Sequence, residues 1–174
     1  MDVHVNEVEY NYVRVQELLS QALSEKPDII VLPETWNTGF HPSKDLINIS
    51  DRNGERTKAL LSTFAKEHNV NIVGGSVAVA KEDLVFNTSY AYNREGKLVG
   101  EYSKMHGFSP AKEDQYFASG THTTHFELDG IPCSTVICYD IRFPELVRMA
   151  ALSNTELLFV PAQWPTMRLR HWQV

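Results

Sequence analysis

Residues 134–146 have the sequence STVICYDIRFPEL, and this stretch decides the fold of the chain around it. The apolar, β-branched run before Cys138 is typical of a buried strand, and Pro144 is typical of the first turn of a helix. Cys138 is therefore predicted to lie at a strand-to-helix corner. A thiol at such a corner can be reached by solvent and lies close to the positive end of a helix, which favours a thiolate.

Two interpretations of Cys138 follow from this position. Free cysteine is among the most buried residue types, so a cysteine after an apolar strand is usually a packed core residue. The same corner also suits a nucleophile, because backbone N–H groups there can hold the oxyanion that forms when sulfur attacks a carbonyl. The choice between them depends on the other reactive residues of the chain.

The composition predicts one domain, residues 1–174, whose partner is a small molecule. Of the 174 residues, 43% are hydrophobic and 22% are charged, which is enough for one core of ordinary size. The 16 lysines and arginines against 22 aspartates and glutamates give a net charge of -6, without a basic run. This balance argues against nucleic acid or an anionic membrane as the partner.

The start of the chain and its cysteines predict a cytoplasmic protein. Residues 1–7 are acidic and polar, unlike a signal peptide, and no apolar run is long enough to span a bilayer. Cys133 and Cys138 are predicted to share one strand, where five steps of ~3.3 Å place them ~16 Å apart on opposite faces. A disulfide cannot span that distance, so both are expected to be free thiols, as in a reducing compartment.

Helical and strand-like patterns alternate along the chain and predict an α/β domain with helices covering a mixed sheet. Residues 28–32 are apolar in succession, which is typical of a central strand buried on both faces. A polar loop is expected at 37–53, and Gly74-Gly75 is interpreted as close backbone packing because it lacks the spacing of a phosphate-binding loop. Helices are predicted at about 11–24, 54–68 and 144–152, and strands at 28–32, 70–79, 86–92, 98–102, 124–128, the stretch with both cysteines, and 156–160.

Three reactive side chains follow three different predicted strands: Glu34, Lys104 and Cys138. Each alone is most simply a surface or core residue, but the strand ends of one sheet meet at a rim where functional residues concentrate. A carboxylate can take the thiol proton and return it to a leaving amine. A lysine can lower the pKa of the thiol and stabilise an oxyanion, and the cysteine can form a thioester. The three residues therefore predict acyl transfer without histidine.

The segments around these residues resemble the three signature segments of the nitrilase superfamily, the carbon-nitrogen hydrolases. The segments are Val31–Trp36, Tyr102–His106 and Ile137–Leu146, and they stand in the family's order. Residues 161–165 (PAQWP) and 170–172 (RHW) extend the resemblance, which runs from about residue 11 to the end of the chain. Three motifs in order are far more specific than any one of them.

The resemblance implies a four-layer αββα sandwich and a hydrolase without a metal or organic cofactor. It implies that Glu34 is the general base, that Lys104 stabilises the tetrahedral intermediate and that Cys138 is the nucleophile. Glu113 occupies the position of a second family carboxylate, which orients the lysine. By the same resemblance the backbone N–H of Tyr139 completes the oxyanion hole and Trp164 lines the substrate pocket, although a half-buried structural tryptophan is an equal alternative.

Within the superfamily, the sequences of these segments resemble those of the ω-amidase-like bacterial branch. That branch removes ammonia from the terminal amide of 2-oxo acids such as 2-oxoglutaramate. Such a substrate needs a cation for its carboxylate, and Arg142 or Arg168 is the candidate, although either also suits a structural ion pair. Acyl transfer to an amine instead of water remains an alternative within the same fold.

Compared with the family, the chain has a shortened first strand and stops at Val174, inside what the family builds as a further helix. We therefore expect a chain truncated at both ends, whose complete form is a homodimer. One alternative is a catalytically silent fragment that binds a partner. Another alternative is a metal protein that uses His122, His125 and a cysteine. Histidines three apart in a strand point to opposite faces, which argues against this alternative.

Overall fold

The computed structural model describes residues 1–40, 43–164 and 166–173, with only the backbone of His171. Pro165, the last residue of the predicted segment 161–165, and Val174 lie outside the described residues, as do residues 41 and 42 of the predicted loop 37–53. The helices are α1 (Val8–Ala22), α2 (Leu46–Ile49), α3 (Glu55–His68), α4 (Pro144–Leu152) and α5 (Leu169–Gln173). The strands are β1 (Ile29–Val31), β2 (Asp51–Arg52), β3 (Asn71–Val73), β4 (Val77–Lys81), β5 (Leu84–Tyr92), β6 (Leu98–Ser103), β7 (His125–Leu128), β8 (Ile131–Thr135) and β9 (Leu157–Phe159).

The three long helices are close to their predicted positions because their end signals are strong. Pro144 occupies the first turn of α4, where its missing N–H costs nothing. Asn69 ends α3 in the left-handed conformation at φ 52°, which asparagine tolerates. The first helix begins three residues earlier than predicted and continues into a 3-10 turn at Leu23–Glu25.

Within the described residues, the larger sheet has six strands arranged around β5. β3 and β4 pair in succession with one edge of β5, and β6 forms the predicted antiparallel hairpin with its other edge. β1 and β2 pair in parallel with β3 and β4. The prediction of a central first strand was wrong, because β1 is the outermost strand in the order of the described sheet and Val31 is 47% exposed.

The single strand predicted at 70–79 was also wrong, because residues 74–76 interrupt it. Gly75 has φ +60°, and a Cβ there would lie 2.0 Å from the carbonyl oxygen of Pro33. The bend therefore lets the backbone after β1 pass directly against the second strand, so the prediction of close backbone packing is confirmed. The predicted loop 37–53 likewise contains two short elements, α2 and β2.

The smaller sheet has the order β7-β8-β9, with an antiparallel hairpin followed by a parallel pair. The expectation that one strand carries both cysteines was wrong. β8 contains Cys133 and ends at Thr135, while Cys138 begins a 3-10 turn at Cys138–Arg142. Both cysteines are free, as predicted, and both are buried.

The elements form the four layers predicted from the family resemblance. α1 and α3 pack on one face of the six-stranded sheet, and the other face meets the three-stranded sheet. α4 connects the parallel strands β8 and β9 and buries Leu146 and Ala150, so it covers the outer face of the smaller sheet. Among the described residues, no helix has both the length and the apolar content to cross a membrane.

Candidate active site

The three predicted reactive residues lie just beyond strand ends, on backbone held by neighbouring segments. Glu34 follows β1 in a segment tied to the bend at 74–76, where the N–H of Ser76 donates to the oxygen of Pro33. Lys104 directly follows β6, and its N–H donates to the oxygen of Asn87 at 2.9 Å. The two sheets thereby bring these side chains to one rim.

Lys104 lies at the centre of the site, between two buried carboxylates. Its Nζ is 2.8 Å from Oε1 of Glu34 and 2.8 Å from Oε2 of Glu113. Lys104 is only 4% exposed, and both glutamates are inaccessible to solvent. Burial lowers the pKa of Lys104, but the two carboxylates outweigh it and raise the pKa above its ordinary value. The side chain therefore stays a cation.

Backbone and amide donors fix both glutamates. The N–H of Gln163 donates to Oε2 of Glu34 at 2.9 Å, and the N–H of Phe108 donates to Oε2 of Glu113 at 2.7 Å. The Nδ2 group of Asn87 lies 3.1 Å from Oε1 of each glutamate. Each carboxylate is thus held in one orientation by at least three donors, counting Nζ of Lys104.

Cys138 faces this cluster from the third strand end, in a strained conformation. Its φ is +48°, a left-handed value that is uncommon outside glycine. The N–H of Cys138 donates to the oxygen of Pro161 at 2.9 Å, which links the corner to the segment after β9.

The environment of the Cys138 thiol differs from the prediction of an accessible thiolate. Cys138 is only 7% exposed, and burial raises the pKa of its thiol. Glu34 raises that pKa further, and the opposing effect of Lys104 is smaller. The reason is that the lysine shares its charge between two carboxylates, so the thiol remains protonated near neutral pH.

A buried aspartate holds the corner that carries Cys138. Oδ2 of Asp140 accepts hydrogen bonds from the N–H of Ile137 at 3.0 Å and from the hydroxyl of Tyr102 at 2.7 Å. Oδ1 accepts the N–H of His106 at 2.9 Å, and Nδ1 of His106 is also 2.9 Å away. Asp140 therefore joins the 3-10 turn to the end of β6, which Lys104 directly follows.

Most of the predicted site residues line a small pocket with a volume of about 50 Å³, but Glu113 and Arg142 do not. A wider outer cavity of about 450 Å³ lies next to it and shares Phe108, Tyr139, Trp164 and Arg168. The small pocket is lined by Glu34, Phe40, Lys104, Phe108, Cys138, Tyr139, Gln163, Trp164 and Arg168. A reactive carbonyl in this pocket would meet the thiol, the ammonium and a carboxylate at once.

Tyr139 and Trp164 both line the small pocket. The N–H of Tyr139 is in the first turn of the 3-10 helix, where an N–H has no acceptor in its own helix. Trp164 is half-buried, and its Nε1 donates to the oxygen of Arg168 at 2.7 Å.

The two candidate cations differ in position. Arg142 is exposed and lines only the outer cavity, with its guanidinium 5.6 Å from the ring centre of Trp164. Arg168 lines both cavities, and its guanidinium lies 5.1 Å from the ring centre of Phe108. Arg168 is therefore closer to the thiol pocket than Arg142 is.

The candidate metal ligands do not converge. Nδ1 of His125 lies 2.8 Å from the hydroxyl of Ser134, and Nδ1 of His122 lies 3.1 Å from that of Thr121. In the part of the chain that the structure describes, no group of three His, Cys, Asp or Glu side chains could hold a metal ion.

Sequence reasoning missed three residues that shape the site: Asn87, Asp140 and Gln163. Asn87 carried a signal, because it is a polar residue within the predicted strand 86–92 and is buried. Gln163 contacts Glu34 twice, because its backbone N–H donates to Oε2 and its Nε2 donates to the backbone oxygen.

Comparison with known proteins agrees with this geometry. The family model described as carbon-nitrogen hydrolase matches residues 2–174. The chain belongs to the carbon-nitrogen hydrolase family, and the resemblance inferred from the three segments is confirmed.

Several relatives have names that specify an activity. The 2-oxoglutaramate amidase of Bacillus subtilis (strain 168) is 40% identical over 161 residues, which cover 92% of this chain and 62% of that protein. The 2-oxoglutaramate amidase of Paenarthrobacter nicotinovorans is 33% identical over 171 residues, covering 92% and 57%. Among solved structures, Saccharomyces cerevisiae Nit3, a member of branch 10 of the nitrilase superfamily, has a TM-score of 0.84 at 27% identity, covering 99% of this chain and 65% of that one. The chain spans less than two thirds of the length of these relatives.

Proposed function

We propose that residues 1–174 belong to one carbon-nitrogen hydrolase domain that releases ammonia from a small amide through a thioester on Cys138. The observation that carries the proposal is the buried Lys104, held between Glu34 and Glu113 in the pocket that contains the thiol. These groups supply a base, a stabilising cation and a nucleophile within one water-poor space. The names of the relatives support the same class of reaction.

In the first half of the proposed reaction, Glu34 takes the thiol proton as Sγ of Cys138 bonds to the amide carbon. The carbonyl electrons move to oxygen, and Lys104 together with the N–H of Tyr139 stabilises the oxyanion. The oxyanion then collapses, the C–N bond breaks and Glu34 returns the proton to nitrogen. Ammonia leaves and a thioester remains.

In the second half, Glu34 takes a proton from a water molecule whose oxygen attacks the thioester carbon. The C–S bond then breaks, the carboxylic acid product leaves and the sulfur recovers its proton from Glu34. The raised pKa of Cys138 fits this sequence, because a protonated thiol needs the adjacent base at the moment of attack. Glu113 remains a positioning carboxylate that holds Lys104.

For the substrate we propose a short ω-amide of a 2-oxo acid. The small volume beside the thiol suits the terminal amide, since it admits only a few atoms. Arg168 lines that volume and the outer cavity, so it suits the substrate carboxylate at the far end of a short chain. Arg142 lies further out and suits a supporting role.

The test measures ammonia release from a panel of short ω-amides, some of which carry the carboxylate of a 2-oxo acid and some of which lack it. Lys104→Ala removes the oxyanion cation and Glu34→Gln removes the base, so each should lower turnover by about 100-fold or more with folding retained. Lys104→Arg should not restore activity, because a planar guanidinium cannot replace a compact ammonium between two carboxylates.

Lys81→Ala is the matched control, since Lys81 also pairs with a carboxylate, Glu101, but lies at the surface away from the thiol pocket. It should release ammonia at the wild-type rate. Near-wild-type turnover by Glu34→Gln or Lys104→Ala would contradict the mechanism. A folded wild-type chain that releases no ammonia from any amide would favour the catalytically silent alternative.

A further inference from the structure

Asn87 makes an unusual set of contacts beneath the catalytic cluster. It lies in β5, is 1% exposed, and its Nδ2 group is 3.1 Å from Oε1 of Glu34 and 3.1 Å from Oε1 of Glu113. Both of those oxygens also accept from Nζ of Lys104. One amide and one ammonium therefore bridge the same two carboxylates from two directions.

The chemistry of the neighbours fixes the orientation of this amide. A flipped side chain would direct Oδ1 of Asn87 at two carboxylate oxygens, which have no hydrogen to donate. In the orientation observed, both amide hydrogens are donated to the glutamates. Oδ1 has no hydrogen-bond partner among the described residues. A buried carbonyl without a partner lowers stability, so the contacts to the two acids are what this residue contributes.

The backbone of Asn87 also fits a role next to the lysine. Its carbonyl oxygen accepts the N–H of Lys104 at 2.9 Å, so the two residues lie opposite each other where β5 and β6 end their pairing. The side chain of Asn87 does not line the thiol pocket. It therefore acts on the reaction through Glu34 and Glu113 rather than by touching the substrate.

We propose that Asn87 is a positioning residue that keeps Glu34 and Glu113 correctly aligned around the ammonium of Lys104. Two carboxylates that share one ammonium repel each other, and two N–H donors reduce that repulsion without adding charge. The two N–H donors of Asn87 also disperse the negative charge of Glu34, and this weakens the effect of Glu34 on the pKa of the Cys138 thiol. Without the donors, more of that charge acts on the thiol and Glu34 is free to leave its alignment.

The experiment compares the wild-type chain with Asn87→Leu and Asn87→Asp, which keep the approximate size but cannot donate. The first readout is the rate of Cys138 alkylation by iodoacetamide against pH, followed by mass mapping. Asn87→Leu should move this profile to higher pH by about one unit, and Asn87→Asp further, because it adds a carboxylate. Asn87→Ser, with one hydroxyl donor, should fall between wild type and Asn87→Leu.

The second readout is ammonia release, and only this one rests on the proposed function. Asn87→Leu should lower kcat by about 10-fold or more with KM changed by less than about 3-fold, as expected for lost alignment rather than lost binding. If the wild-type chain releases no ammonia, the proposed function fails while the alkylation profile still decides the role of Asn87.

Asn71 provides the matched control. It is a fully buried sheet asparagine whose Nδ2 also bridges two oxygens, those of Asp28 and Asp129, but it lies outside the thiol pocket. Asn71→Leu should lower the melting temperature without moving the alkylation profile. An unshifted profile in folded Asn87→Leu or Asn87→Ser overturns the proposal, and so does an equal shift in Asn71→Leu.

Discussion

At the scale of single residues, two buried carboxylates share one ammonium. Glu34 and Glu113 both contact Nζ of Lys104, next to a thiol that is not ionised. Burial and Glu34 raise the pKa of Cys138, whereas Lys104 lowers it by less. The balance keeps the proton on sulfur in the absence of substrate, which protects the thiol from oxidation and alkylation.

Removing a negative charge and removing a positive charge should therefore shift the pH profile of Cys138 alkylation in opposite directions. Glu34→Gln removes a charge that raises the pKa of the thiol, so its alkylation profile should move to lower pH. Lys104→Met removes the charge that lowers it, so that profile should move to higher pH. The measurement is the iodoacetamide rate between pH 6 and about pH 10.

Cys133 is the internal control for this measurement. It is 1% exposed between the two sheets, and burial raises the pKa of its thiol. Cys138, which borders a pocket, should be labelled first in the folded protein. Shifts of the same sign in both variants would contradict this electrostatic account.

At the scale of elements, the corner between β8 and α4 depends on a buried carboxylate. Asp140 ties the 3-10 turn to Tyr102 of β6 and to His106. Burial and then Asp140 raise the pKa of Tyr102, so its hydroxyl stays protonated and donates. This network compensates for the strained φ of Cys138, because it fixes the residues on both sides of that position.

Removing one hydroxyl tests this anchor. Tyr102→Phe leaves Asp140 with one donor fewer in a buried site, so the free energy of unfolding should fall by about 1–3 kcal/mol. Urea denaturation measures the change. The alkylation rate of Cys138 should also change, since the turn that carries it loses an anchor.

Tyr90→Phe is the paired control. The Tyr90 hydroxyl is equally buried but has no hydrogen-bond partner among the described residues. Its removal should leave the free energy of unfolding unchanged or increase it. A loss as large as that of Tyr102→Phe would show that ring packing, not the bond to Asp140, explains both results.

At the scale of the whole molecule, one arginine joins both sheets on the side away from the pocket. Arg94, in the turn between β5 and β6, donates to Asp129 between β7 and β8 and to Asp28 before β1. It also donates to the oxygen of Asn69 at the end of α3. These bonds raise the pKa of Arg94, the largest contribution coming from Asp129. A rigid guanidinium reaches all three acceptors at once.

Arg94→Ala should lower the free energy of unfolding by about 1–2 kcal/mol, a modest value because solvent screens the exposed partners. Lys should not substitute, since it lacks the forked geometry. Arg14→Ala is the control. Arg14 pairs with Glu17 on the surface of α1, and its loss should change stability by less than about 0.5 kcal/mol. Equal losses in the two variants would contradict the linking role.

The sequence was most informative where local chemistry fixes the outcome. Pro144 indicated the start of a helix, and the helix predicted at 144–152 is confirmed to the residue. The apolar run before Cys138 indicated a strand there, although β8 ends at Thr135. Periodicity gave α3 and the hairpin of β5 and β6 within two residues at each end. The order of the three reactive segments gave the family.

The sequence failed where contacts between distant segments decide the backbone. The break at 74–76 exists because the segment after β1 crosses Gly75, and no local pattern carries that information. The exposure of Val31 depends in the same way on the position of β1 in the sheet. Strand order is a property of pairing, which the residues of one strand do not encode.

The sequence by itself determined which reactive groups stand at strand ends, because residue type and hydrophobic pattern are local properties. Only the tertiary structure decided the protonation of the Cys138 thiol and the hydrogen bonds that align Glu34. The pKa of Cys138 depends on desolvation and on charges brought from Glu34 and Lys104, and the alignment of Glu34 depends on Asn87 in another strand. These are effects of distance and burial, which exist only once segments remote in the chain have packed together.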